Sequence, residues 1–194
     1  MTATKEVKKE QSALEDYGVI YLSGEINEQV SEQVCRSIIE INMTKSVDCI
    51  QMIINSQGGS VSDGFAIIDM MTWSRLAVRT TGLGMLASMA LLIFMAGQKG
   101  HRVITPRVSL LSHRYSWWVR GKHSELIARR KEEDLVHTRI VDHYLRHTKV
   151  KTHEELQKTL LCDVDTWLRA EEAVAYGIAD IIEGVAMADV PVQS

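Results

Sequence analysis

A chain of 194 residues can bury a core large enough to need neither disulfides nor a structural metal, and it fits one domain. Its 45% hydrophobic and 24% charged residues are ordinary for a globular protein, and a formal net charge of −3 gives no electrostatic reason to expect nucleic acid or an anionic membrane as partner. Cys35, Cys49 and Cys162 lack CxxC spacing and read as small core residues in a reducing compartment, not as a disulfide framework.

Residues 1–16, "MTATKEVKKEQSALED", carry no apolar run of a signal peptide and read as a flexible tail, so the expected location is the cytoplasm. "GVIYLSG" (18–24) predicts a strand, and Asn27 caps a helix in which Val30, Val34, Ile38 and Ile41 recur at helical spacing. "CIQMIIN" (49–55) predicts a second strand, followed by the turn "SQGGS" and a helix with Phe65, Ile68, Met70 and Met71 on one stripe. "LAVRTTG" (76–82) predicts a third strand, and "GMLASMALLIFMAG" (84–97) a third helix. The apolar run there is about 14 residues against the roughly 20 of a membrane span, so a buried helix is expected. "HRVITPRVSLLSH" (101–113) supplies two short strands broken at Pro106. From about Ser124 to His147, Leu126, Ile127, Leu135, Val136, Ile140, Val141 and Tyr144 keep near-helical spacing among charges, which predicts a long helix that protrudes or packs on a partner. A short helix near 153–160 and a last one begun at Glu171–Ala173 and ended by Gly177 follow. This rhythm predicts βαβ units and a mainly parallel sheet, with a single domain over 17–184 and a tail at 185–194.

Four places carry groups suited to chemistry. Ser88, at a strand-to-helix junction, has free amides and the positive end of a helix dipole beside it, where an oxyanion is stabilised. Its plainer alternative is a serine bonded to a carbonyl one turn back. In "NSQGGSV" (55–61) consecutive glycines allow close ligand approach, and the Gly59 and Met89 amides are candidate oxyanion donors; the alternative is a turn serving chain reversal. Neither GK[ST] nor GxGxxG marks a phosphate loop. His113 ends a strand beside a loop, whereas His123, His137, His143, His147 and His153 lie on a charged helical stretch and read as solvated. His143 and His147 lie one turn apart, but no HExxH acid or nearby cysteine accompanies them, so no metal is expected. In "CDVDTW", Asp163 or Asp165 can orient an imidazole or cap the helix near Ala170.

Taken together, "NSQGGSVSDGFAIIDMM", "GMLASMA", "SLLSH" and "DTWLRAEEAVAYGIAD", in order between Val19 and Ile182, resemble the ClpP family of serine peptidases, the proteolytic subunits of the ATP-dependent Clp protease. The resemblance implies an α/β fold, a crotonase-like spiral of ββα/βαβ units with a protruding handle over about 114–147. It implies Ser88 as nucleophile, His113 as general base and Asp165 as the third triad member, with the amides of Gly59 and Met89 as oxyanion hole. It further implies a substrate groove along Gly58, Ser60, Val61, Tyr115 and Trp117, and no metal or organic cofactor. The implied partners are further copies of the chain in two stacked seven-membered rings, an AAA+ unfoldase and polypeptide substrates.

Several residues depart from the family pattern. Gln57 stands where a proline usually precedes the double glycine, and "RYSWWVRGK" follows His113 in place of Gln-Pro and a glycine-rich strand. Val164 replaces an arginine used between rings, while Gln51 and Ile53 stand where aromatics often line the unfoldase pocket. The expected function is a serine endopeptidase cleaving unfolded proteins or short peptides inside an oligomeric chamber, with assembly aligning the triad. The alternatives are a non-catalytic or regulatory subunit of a mixed ring, a crotonase-type acyl-CoA enzyme, and a signal-peptide peptidase with a Ser–Lys pair, for which no lysine matches.

Overall fold

Three apolar runs form the centre of the molecule, whose computed structural model describes residues 14–44, 47–114 and 122–184. Residues 1–13 of the tail expected over 1–16, the tail expected at 185–194, and the residues Tyr115 and Trp117 lie outside the described residues. Strands β1 (Val19–Ile26), β2 (Cys49–Gly59) and β3 (Ala77–Ala87) pair in parallel, with Ile20 opposite Met52 and Ile50 opposite Val78. Alternate residues of β2, from Ile50 through Met52 and Ile54, are fully buried, and the residues between them are half-buried because helices cover the sheet.

Parallel neighbours need crossovers, which α1 (Glu28–Thr44) and α2 (Val61–Trp73) provide. Asn27 Oδ1 accepts from Val30 N at 3.0 Å and starts α1, which buries Val34, Ile38 and Ile41 as predicted. Ser60 caps α2 by accepting from Asp63 N, and that helix buries Ile67, Ile68 and Met71.

Strand β3 then changes partner along its length. Thr80–Gly82 pair with β4 (Arg102–Ile104), and Met85–Ala87 pair with β5 (Ser109–Ser112), both in parallel. Between the two halves the register against β2 jumps from Ile54 opposite Gly82 to Ser56 opposite Leu86. Gly84 takes φ +63° in this bulge, and Asn55 Oδ1 accepts from Met85 N at 3.1 Å. The sheet runs β1-β2-β3-β4-β7 (β7, Ile181–Ile182), with β5 and β6 (Thr166–Leu168) branching from β3. Among the described residues only β5 and β6 pair antiparallel.

The mainly parallel α/β sheet agrees with the sequence; several local expectations do not. Residues 84–97 are not one helix: the open edge of β5 draws Met85–Ala87 into β3, and α3 begins only at Met89, running to Met95. All seven side chains of α3 are buried, each large one contributing roughly 1.5–3 kcal/mol by leaving water. Strands β6 and β7 were not anticipated, because three- and two-residue pairings leave no periodic signal. The cysteines are free and only half-buried.

The long helix α4 (His123–His147) packs its C-terminal half through Val136, Ile140, Val141 and Tyr144, while Leu135 faces solvent. His143 and His147 are not solvated. His143 is buried against α3, its Nε2 donating to Leu92 O at 2.8 Å, and the two rings lie 4.4 Å apart between centroids. Burial first, then the charges of His147 and Arg146, push His143 down to about 3 against the opposing bond to Leu92. Burial also lowers His147, with Arg102 and Arg146 adding to the effect. Helices α5 (His153–Thr159) and α6 (Ala170–Ala175) complete the chain, α5 capped by Thr152.

One ionic clasp closes this end of the sheet. Buried Arg102 donates to Asp180 at 2.9 and 2.6 Å and to His147 O at 2.8 Å, and Asp180 also accepts from the amides of Gly100 and Arg102. Burial alone would raise the Asp180 carboxyl, but the bonds and charge of Arg102 outweigh it and hold it below its ordinary value. Among the described residues no helix is long and apolar enough to cross a membrane.

Two predictions follow from these buried polar groups. His143 and His147 are neutral in the folded chain and protonate more readily unfolded, so stability is full above pH 6.5 and falls as pH drops toward about 3. By pH 5 the loss traceable to His143 is about 2 kcal/mol, and urea midpoints of His143→Gln will fall less steeply with acid than those of the native chain. An equal slope would contradict this. Arg102→Ala leaves the Asp180 carboxylate without its cation, held by two backbone amides alone, and is expected to cost ~3 kcal/mol by chemical denaturation.

Candidate active site

Ser88 follows β3 directly and precedes α3, with φ 56° and ψ −125°. It is the one non-glycine residue at positive φ among the described residues, a strain of about 1–3 kcal/mol that the surroundings must hold. Its amide donates to Leu111 O on β5 at 3.0 Å, and its carbonyl accepts from Leu91 N at 3.0 Å. The wholly buried α3 anchors the other side. The Ser88 side chain makes no capping bond, so it is not a serine spent on the helix end. This sharp strand-to-helix turn is the geometry of a nucleophile elbow, built here with Leu86 and Ala90 where the G-x-S-x-G pattern has glycines.

Strand register brings the other two groups alongside. Ala87 pairs with Leu111 and Ser112 with Thr166, so Ser88, His113 and Asp165 each lie just beyond a paired end of β3, β5 and β6. Adjacent strands are about 4.8 Å apart, so three residues distant in sequence share one corner. His113 Nδ1 lies 3.9 Å from Asp165 Oδ1, an ion-pair distance longer than a hydrogen bond. The acid is the loosest member, with 61% of its side chain exposed against 27% for His113. Asp165 caps no helix, since Arg169 occupies the N-cap of α6, and Asp163 is taken by Arg114 at 2.5 Å.

The double glycine closes the other side of the elbow. At Gly58 (φ +90°) a Cβ would lie 2.6 Å from Ala87 O, 2.8 Å from Ser88 Cβ and 3.0 Å from Met89 N. Gly59 is pressed against β1, where a Cβ would lie 2.2 Å from Ile26 O. The Gly58 amide donates to Ser56 Oγ at 3.0 Å, and Ser56 Oγ donates to Gly24 O at 2.5 Å. The Met89 amide belongs to the first turn of α3, where no intrahelical acceptor exists. Ser60 spends its hydroxyl on the α2 cap and Ser62, and Val61 opens that helix half-buried against the core.

The sequence reading missed the side chains supporting these groups: Ser56 under Gly58, and Ser112, Arg114 and Tyr144 around His113. A serine closing an apolar strand gives no sign that it will be fully buried. Gly58→Ala is expected to disturb the elbow directly, because the contacts its methyl would meet are the backbone of Ala87 and Met89 and the Ser88 Cβ. We expect a loss of more than about 2 kcal/mol and displacement of Ser88, read by thermal unfolding and by the Ser88-dependent activity proposed below.

The family model for Clp protease matches residues 2–185 of the 194. The match takes in every element from β1 to β7, together with the elbow, the double glycine, His113 and Asp165. On that span, and with a mainly parallel α/β sheet, the chain belongs to the Clp protease family.

Proposed function

We propose that the chain is a serine endopeptidase that hydrolyses unfolded proteins or short peptides, with Ser88, His113 and Asp165 as its triad. The observation that carries this reading is the strained Ser88 elbow at the end of β3, flanked by His113 and Asp165 at the ends of the next two strands. A strained serine with no capping duty has little structural justification, whereas a nucleophile is presented by such a turn. His113 takes the hydroxyl proton as Ser88 Oγ attacks the scissile carbonyl, then returns it to the leaving amine. Asp165 orients the imidazole and offsets its positive charge. The amides of Gly59 and Met89 receive the tetrahedral oxyanion, and water activated by His113 releases the acyl group.

Family membership carries self-association and association with Clp ATPases in general; for this chain we propose stacked seven-membered rings forming a chamber fed by an AAA+ unfoldase. Extended substrate would pair by backbone with the segment at Gly58–Val61, and with Tyr115 and Trp117. The 3.9 Å gap and the exposed acid favour a subunit of low activity alone, whose triad tightens on assembly.

A fluorophosphonate probe applied to size-fractionated protein tests this. The native chain is expected to label, chiefly in the largest oligomer, while Ser88→Ala and His113→Ala do not. Peptide hydrolysis should fall by about 10⁴-fold or more in Ser88→Ala and by about 10²- to 10⁴-fold in Asp165→Asn. Absence of labelling in every fraction would leave a non-catalytic ring subunit as the better account.

A further inference from the structure

His113 stands between two residues whose side chains both reach the same loop. Ser112, before it, is fully buried; its hydroxyl donates to Leu160 O at 2.5 Å and lies 2.7 Å from the Tyr144 hydroxyl. Having one proton to give, Ser112 Oγ gives it to Leu160 and accepts from Tyr144. Burial pushes the Tyr144 phenol up to about 12, against the effect of the Ser112 bond, so the phenol remains a donor. Arg114, after His113, donates from Nε to Leu161 O at 2.8 Å and from Nη1 to Asp163 Oδ1 at 2.5 Å.

All three receiving residues lie on the connection between α5 and β6, which leads to Asp165. The last part of that connection, Asp163 to Asp165, is exposed, and β6 beyond it pairs through only three residues. The bonds from residues 112 and 114 therefore tether the acid's loop to the base's own strand.

We propose that Ser112 and Arg114 are positioning residues, a bracket that sets the distance and orientation between His113 and Asp165; this rests on the triad reading above. A planar guanidinium can serve Leu161 O and Asp163 at once, which a lysine ammonium on a flexible stem does poorly. The Arg114–Asp163 pair is exposed, at 45% and 87% of the two side chains, so it adds little to global stability. Positioning and folding can thus be separated at this residue.

The test compares the native chain with Arg114→Ala, Arg114→Lys, Ser112→Ala and, as a reference for a lost acid, Asp165→Asn. For each, the rate of fluorophosphonate labelling, kcat and KM for a short peptide, the urea midpoint, and the ¹⁵N shifts of the His113 ring are measured. Arg114→Ala is expected to lower kcat and labelling by about ten- to a hundredfold, with KM and the urea midpoint nearly unchanged. Arg114→Lys should fall between, and the His113 ring signature in Arg114→Ala should move toward that of Asp165→Asn. Native-like labelling and an unmoved ring signature in both Arg114→Ala and Ser112→Ala would overturn the bracket and leave the triad standing. If the native chain fails to label through Ser88, the triad reading fails instead. The ring signature alone then decides the bracket: a shift in Arg114→Ala supports it, and an unchanged signature overturns it.

Discussion

Everything at the proposed catalytic corner depends on β3 exchanging one neighbour for another part-way along. A strand that kept pairing with β4 past Gly82 would carry Ser88 away from β5 and from His113. The exchange needs extra length, supplied by the bulge at residues 83–85, and it needs that length pinned. Asn55 pins it: its side-chain oxygen holds the Met85 amide, while Gly84 alone can sit against the same side chain, a Cβ there lying 2.7 Å from Asn55 Oδ1. One amide side chain on β2 thus decides where the second half of β3 points, and the elbow follows within three residues.

Behind the elbow, α3 is a helix with no polar side chain, so its surroundings supply the polar contacts. His143 reaches Leu92 O, Thr80 Oγ1 reaches Phe94 O at 2.9 Å, and His147 reaches Met95 O. These extra bonds satisfy carbonyls in the last turn of α3 and add direction to its packing. The Arg102–Asp180 clasp extends the arrangement, since Arg102 also holds the His147 carbonyl at the end of α4. The long helix is thereby fastened at its C-terminal end to the same helix that carries the elbow.

Much of this was legible in the sequence, and the gaps have physical causes. Helical spacing at Val34, Ile38 and Ile41 comes from a face packed on the core, so periodicity reported that helix correctly. The run at 84–97 misled because its longest part, Leu86–Met95, is apolar but for Ser88 and almost wholly buried, with no period to separate strand from helix. His143 misled because a charged neighbourhood along the chain says little about which side of α4 meets α3. Ser88, His113 and Asp165 were singled out by motif and by resemblance; their convergence is a matter of register between β3, β5 and β6, which no single stretch contains. The tethers at Ser112 and Arg114 left no trace, because a hydrogen bond to a carbonyl some fifty residues away has no sequence signature.

The seven buried side chains of α3 have one more consequence. Ser88, the proposed nucleophile, is continuous with the hydrophobic interior, so it cannot shift without partial unfolding. Asp165, its proposed partner through His113, belongs to the solvent-facing surface. The machinery therefore has a stiff end and a compliant end, and only the compliant one can be adjusted at low energetic cost. Natural variation that leaves the fold intact should accordingly gather around the exposed residues 163 and 164 and avoid residues 87–95.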